Sequence, residues 1–254
     1  MIILSHRAPV FLFILSLLFG ACNHEQAPRE VTNFDHDWQF VLMGADTTLQ
    51  AQIEKSGWRT VHLPHDWSIE GEYGQEYGTD WQSGYLPAGV GYYRKDFSWD
   101  PGWEEKIVRI YFDGIYLNSE VWINGEKLGY RPNGYISFHY DLTPHLKEGK
   151  NTLLVKVDHS KPKSGRWYTG SGIYRHVWLV THNRAYIPMH EVFFSTPEIR
   201  EEFAGYRVET MVRNEAYSDG DFRLVSSLVT PAGEEVSVTE AEVQIGSNDS
   251  SRVI

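Results

Sequence analysis

The residue types best suited to chemistry are concentrated in residues 166–179, RWYTGSGIYRHVWL. Trp167 and Tyr168 offer flat apolar faces with polar edges. Gly170 and Gly172 let the backbone take φ > 0 and let other segments approach closely. Sugars present the matching surface, with CH faces that stack on rings and hydroxyls that hydrogen-bond. A second loop, residues 65–86, carries Asp66, Trp67, Tyr73, Tyr77, Trp81 and Tyr85. The candidate sugar contacts are therefore Asp66, Trp67, Trp81, Arg166, Trp167 and Tyr168. Each ring has a second possible use in core or interdomain packing, and the two glycines in a β-bulge. Asp66 and Arg166 each need a partner in such a setting. Sugar hydroxyls, or the opposite charge of the pair, would serve.

Other chemistries find less support. The 11 histidines show no metal-ligand spacing, since His190-Glu191 has Phe194 where a second histidine would stand. Arg175 occupies the third position of a dinucleotide fingerprint begun by Gly170 and Gly172, so no nucleotide cofactor is implied. Ser164, His65 and Asp66 form a triad only on paper. No metal and no cofactor is expected.

With 254 residues the chain can hold one large or two medium domains. Its 9 Trp, 15 Tyr and 12 Phe suit a β-rich fold. A formal charge of −11, without a basic stripe, argues against nucleic acid as a partner. His6 and Arg7 precede an apolar run over residues 10–18, far shorter than the roughly 20 residues of a membrane span and suited to the core of a signal peptide over residues 1–21. Phe19-Gly20-Ala21-Cys22 is similar to the lipobox of bacterial lipoproteins, which implies export, cleavage before Cys22 and lipidation of that residue. An ordinary signal peptide with an incidental cysteine is the other reading. Residues 22–33 are polar and read as a lipidated tether to a membrane. A single cysteine allows no disulfide within the chain.

The elements that must position the loops are strands. Val108, Ile110 and Phe112 alternate, as do Leu153, Val155 and Val157, and period two predicts half-buried strands. Asn124-Gly125 between two such runs predicts a tight hairpin, because both turn residues must accept φ > 0. Further strands are expected at 38–43, 58–62, 92–99, 136–140 and 174–181, with a helical turn at 142–146. Many short strands in one stretch argue for an all-β fold, a jelly-roll β-sandwich over residues 34–183. Ile187-Pro188 opens a second series at 191–194, 206–214, 222–230 and 235–245, with 252–254 able to begin another strand. Residues 186–254 are thus read as an immunoglobulin-like β-sandwich. They are too few for the usual seven strands or so, hence a partial one.

Five motifs now stand in order: Leu63-Pro64-His65-Asp66-Trp67, Gly89-Val90-Gly91-Tyr92-Tyr93-Arg94-Lys95, Val121-Trp122-Ile123-Asn124-Gly125, Gly134-Tyr135-Ile136 and Gly170-Ser171-Gly172-Ile173-Tyr174-Arg175. Together they closely resemble the N-terminal sugar-binding domain of glycoside hydrolase family 2, the β-galactosidase, β-mannosidase and β-glucuronidase family. The resemblance implies a galactose-binding-like jelly roll, an immunoglobulin-like domain and then a (β/α)8 barrel holding two glutamates, with loops of the first domain reaching the barrel's mouth. Some lactose-cleaving members contact sugar through a carboxylate and an amide at positions where this chain has Arg166 and Ala88. Those two contacts are not carried over.

A barrel takes roughly 250 residues, and nothing in this sequence has its alternation of strand and helix. Retaining glycosidases need two carboxyl groups about 5–5.5 Å apart. In the family both come from the barrel, so no catalytic residue is assigned and the chain alone is expected to be inactive. The leading reading is the non-catalytic N-terminal part of an exported family 2 glycosidase, most similar to β-galactosidases, with β-linked glycosides and the barrel domain as partners. A free-standing carbohydrate-binding module and a structural β-sandwich protein are the alternatives.

Overall fold

The computed structural model describes residues 27–43, 57–77, 79, 81, 84–161 and 168–254. Cys22 and the signal-peptide segment lie outside them, as do Arg166, Trp167 and Ser164. The described strands run β1 (Arg29–Asn33), β2 (Trp38–Met43), β3 (Arg59–Val61), β4 (Gly89–Ser98), β5 (Ile107–Phe112), β6 (Ser119–Ile123), β7 (Glu126–Arg131), β8 (Phe138–Asp141), β9 (Lys150–His159) and β10 (Val177–His182) in the first unit. The second unit contains β11 (Ala185–Tyr186), β12 (Val192–Ile199), β13 (Ala204–Asn214), β14 (Gly220–Val229), β15 (Glu235–Ile245) and β16 (Asp249–Val253).

A six-stranded sheet, β3-β2-β4-β9-β6-β7, faces a four-stranded sheet, β1-β10-β5-β8, in the expected jelly-roll sandwich. Alternation drives it: in β9, Leu153, Val155 and Val157 point inward beside Asn151 and His159. Trp38, Phe40, Val108, Ile110 and Phe112 meet them from the two sheets. The predicted hairpin joins β6 to β7, with Asn124 at φ 52° and Gly125 at φ 91°. Thr143–His145 forms the expected single helical turn.

Two expectations are corrected. Residues 29–33, read as tether, form β1 and pair with β10 from Arg29↔His182 to Asn33↔Trp178. All five side chains are exposed, so only the partner edge of β10 makes a strand of them. The second correction concerns β5, which is buried on both faces rather than half-buried. Its inner face enters the sandwich, while Ile107, Arg109 and Tyr111 are covered because the second unit packs outside them: Arg109 Nη1 donates to Tyr186 Oη at 2.5 Å, and Tyr111 Oη lies 2.9 Å from His190 Nε2.

In the second unit β13 pairs with β11 and β12, and also with β16, while β14 and β15 form a separate hairpin. This is the expected immunoglobulin-like sandwich in reduced form. Its second sheet has two strands among the described residues.

Candidate functional site

The candidate loops meet at one end of the jelly roll, where β4 begins and β9 ends, Gly89 lying opposite His159. Residues 65–67 run antiparallel to residues 171–173, with His65 N–H donating to the Ile173 carbonyl at 2.9 Å and Trp67 N–H to that of Ser171 at 3.1 Å. Tyr116 closes the other flank: its N–H and carbonyl both bond Gly172, each at 2.9 Å. Gly172 is thus gripped from two sides.

Asp66 is the brace of this arrangement. Its Oδ1 accepts from Ser68 N–H at 3.0 Å and Ser171 N–H at 2.9 Å, and its Oδ2 accepts from the Tyr168 hydroxyl. Both carboxylate oxygens are engaged, so the side chain orders the loops rather than standing free. Burial raises the Tyr168 phenol far above its ordinary value, and the adjoining carboxylate adds to the shift. The hydroxyl stays protonated as donor, and the 40 % exposed ring faces outward.

Beneath the brace lies a buried polar relay. Ser68 Oγ is 2.6 Å from the Pro87 carbonyl and 2.5 Å from Ser171 Oγ, which is 2.6 Å from His159 Nδ1. A carbonyl only accepts and each hydroxyl has one proton, so all three links close only if His159 Nδ1–H donates to Ser171, Ser171 to Ser68, and Ser68 to Pro87. Burial holds the His159 imidazole below its usual range, against the pull of Asp66 and Asp158, which keeps it neutral in that tautomer. His159 also meets the Tyr116 ring edge-on at 5.2 Å, and Tyr116 meets Tyr135 at 5.4 Å. A second buried group, His65, joins Tyr93 Oη at 2.7 Å to Glu70 at 3.2 Å, and Glu70 is ion-paired with Arg59.

The sequence-level candidates separate clearly. Trp67 is not a sugar-facing ring: it is 3 % exposed and stacked on Phe40 at 5.7 Å. It fills the gap left by Gly91, where a Cβ would fall 2.5 Å from the indole. Trp81, 70 % exposed, and Tyr168 are surface rings, joined by Tyr73 and Tyr135. Arg166 and Trp167 are outside the described residues, so a pairing of Asp66 with Arg166 is not on view. Sequence reasoning missed Ser68, Tyr116 and His159, and it named His65 and Ser171 only within motifs or a paper triad, without the roles they have here. For His159 a signal existed, because it continues the inward alternation of β9.

The site offers aromatic faces on a tightly held loop, in which Asp66 and Glu70 are both committed to other residues of the chain. Among the described residues no three His, Cys, Asp or Glu side chains are placed to hold a metal ion. The sequence model for the sugar binding domain of glycosyl hydrolases family 2 matches residues 31–183. The chain belongs to glycosyl hydrolase family 2. A β-galactosidase of Bacteroides ovatus is 43 % identical over 225 residues, which are 87 % of this chain and 26 % of that protein. A β-glucuronidase of Formosa agariphila is 29 % identical over 258 residues, covering 89 % of this chain and 25 % of its own length. The chain therefore spans about a quarter of the length of these curated family 2 relatives. Among solved structures, a β-glycosidase from Bacteroides vulgatus superposes with a TM-score of 0.73 at 42 % identity, covering 87 % of this chain and 29 % of that one. A family 2 glycosyl hydrolase from Bacteroides cellulosilyticus does so at 0.78 and 30 % identity, over 88 % of this chain and 30 % of that one.

Proposed function

We propose that this chain is the amino-terminal, non-catalytic part of an exported family 2 β-glycosidase of β-galactosidase type. It presents the exposed rings Trp81, Tyr168, Tyr73 and Tyr135 as one rim of a sugar site. The acid/base and nucleophile come from a barrel carried by further polypeptide. The observation that carries this reading is the convergence of four of the five family motifs, all but that at residues 121–125, on one loop end braced by Asp66. The 43 % identity to a β-galactosidase favours neutral β-galactosides as substrates.

Trp81→Ala tests the rim. In a polypeptide that includes the barrel, loss of one stacking ring, worth about 0.5–1.5 kcal/mol, is expected to lower kcat/KM toward aryl β-galactosides by a factor of about 2 to 13. The melting temperature stays unchanged because the ring is exposed. Unchanged kcat/KM removes Trp81 from the rim. The 254-residue chain by itself is expected to show no turnover, and turnover abolished by Asp66→Ala would overturn the non-catalytic reading.

Export and anchoring form part of the same proposal, supported by the apolar run at 10–18 and Gly20-Ala21-Cys22. Cys22→Ser is expected to move the protein from the membrane to the soluble fraction and to remove the lipid mass from its new amino terminus. Continued membrane association of the serine variant would rule out the lipid anchor.

A further inference from the structure

The seam between the two units is built around a buried imidazole. His182 closes β10 on its outer face and is 2 % exposed. Its Nδ1 lies 2.7 Å from the Asn183 carbonyl oxygen, which can only accept, so the proton sits on Nδ1 and Nε2 is a bare lone pair. That Nε2 is buried with no hydrogen-bond partner. The ring lies on Tyr186, centroids 3.9 Å apart and planes at 29°. Tyr186 is the hub of the seam: it accepts from Arg109 at 2.5 Å and donates to Glu215 at 2.6 Å, and Arg109 also reaches both Glu215 oxygens at 2.8 and 2.9 Å.

We propose that this seam is an acid-sensitive joint, opened by protonation of His182. A proton on Nε2 would create a buried donor without an acceptor and a second charge among cations. Arg29 faces the ring from β1, Arg109 from β5, and Lys106, just before β5, holds Asn183 Oδ1 at 2.7 Å; Arg184 follows in the chain. The neighbouring anion is Glu215, already engaged by Arg109 and Tyr186. The protonated ring reaches water by leaving Tyr186, and that separates β10 from β11. A cavity of about 130 Å³ beside it, lined by Arg109, Tyr111, His139, Tyr186 and Arg213 among others, gives the ring somewhere to move.

The sign follows from the geometry. Burial lowers the proton affinity of His182, with Arg109 and Arg29 acting in the same sense against the Asn183 bond and Glu215. The unfolded or opened imidazole, near 6.5, binds the proton first. The seam is at full strength above that value and weakens as pH falls below it. Glu215 is not the trigger: although burial alone would raise it, bonds from Tyr186 and Arg109 hold it below the usual carboxylate range, so it stays ionised in this window.

Backbone hydrogen exchange of residues 183–190, corrected for intrinsic chemical rates, is measured on the full chain between pH about 7.5 and about 5, which brackets the ordinary imidazole value. Protection is expected to fall several-fold in the parent. It stays flat in His182→Phe, which keeps the stack but cannot titrate. His139→Gln and His190→Gln, altering the other imidazoles of the seam, retain the acid loss. Unchanged parent protection, or full acid loss in His182→Phe, would overturn the joint. Should the phenylalanine variant fail to fold, the imidazole resonance of His182 in the parent decides: titration at or above 6.5 sinks the proposal, and a neutral ring until exchange protection is lost supports it.

Discussion

Gly172→Ala is expected to destabilise the chain by about 3–5 kcal/mol, the sum of a strained positive φ and overpacking. Its φ is +128°, and an added Cβ would lie 2.3 Å from Tyr93 Oη, 2.6 Å from the His65 carbonyl oxygen and 3.3 Å from the Trp67 ring. None of these can yield cheaply. Tyr93 is fully buried with its hydroxyl on His65, and the His65 backbone is tied to Ile173. At roughly 2–4 °C per kcal/mol for a domain of this size, the melting temperature drops by about 10 °C. Gly125→Ala is the control: its φ is also positive, but an added Cβ meets nothing within 4 Å, so its cost is confined to the backbone. Equal melting temperatures for the two alanine variants would contradict the grip on Gly172.

Asp66→Ala is expected to cost about 2–4 kcal/mol in urea unfolding, because two backbone N–H groups and the Tyr168 hydroxyl lose a charged acceptor. Asp66→Asn keeps an oxygen for the Ser68 and Ser171 amides, and the Tyr168 hydroxyl can turn to accept from the new amide. It should recover most of that stability. The pair separates two roles for one residue. A brace predicts that sugar affinity follows stability and returns with asparagine. A direct carboxylate contact with sugar predicts that affinity stays lost in asparagine while stability returns.

Much of the scaffold was legible because it is written in local patterns. The alternation of Leu153, Val155 and Val157 specifies β9 without help from elsewhere, and Asn124-Gly125 specifies its hairpin through two φ > 0 positions. The five-residue β1 was not legible. Arg29–Asn33 carries no buried side chain, and its strand state exists only because β10 offers an unpaired edge. Nor could β5 be read as buried on both faces, since its outer cover comes from Tyr186, His190 and Glu215, far along the chain.

The candidate site divides the same way. Residue types and spacing singled out the two loops and the family, and named Asp66 and Tyr168, which the fold brings together across 102 residues. They could not tell Trp67 from Trp81. One ring is sunk against Phe40, Gly91 and Gly172 and the other stands in solvent, a difference set by gaps that distant glycines leave. Likewise Ser68 and Ser171, 103 residues apart, become a relay to His159 only when their two loops meet the end of β9. The sequence by itself determined the strands that carry an alternating pattern, the tight hairpin turn and the family, because period-two burial and φ > 0 positions are local properties. Which side chains brace, fill or face outward was decided by tertiary structure, because burial and hydrogen-bond direction belong to pairs of residues that the chain keeps apart until it folds.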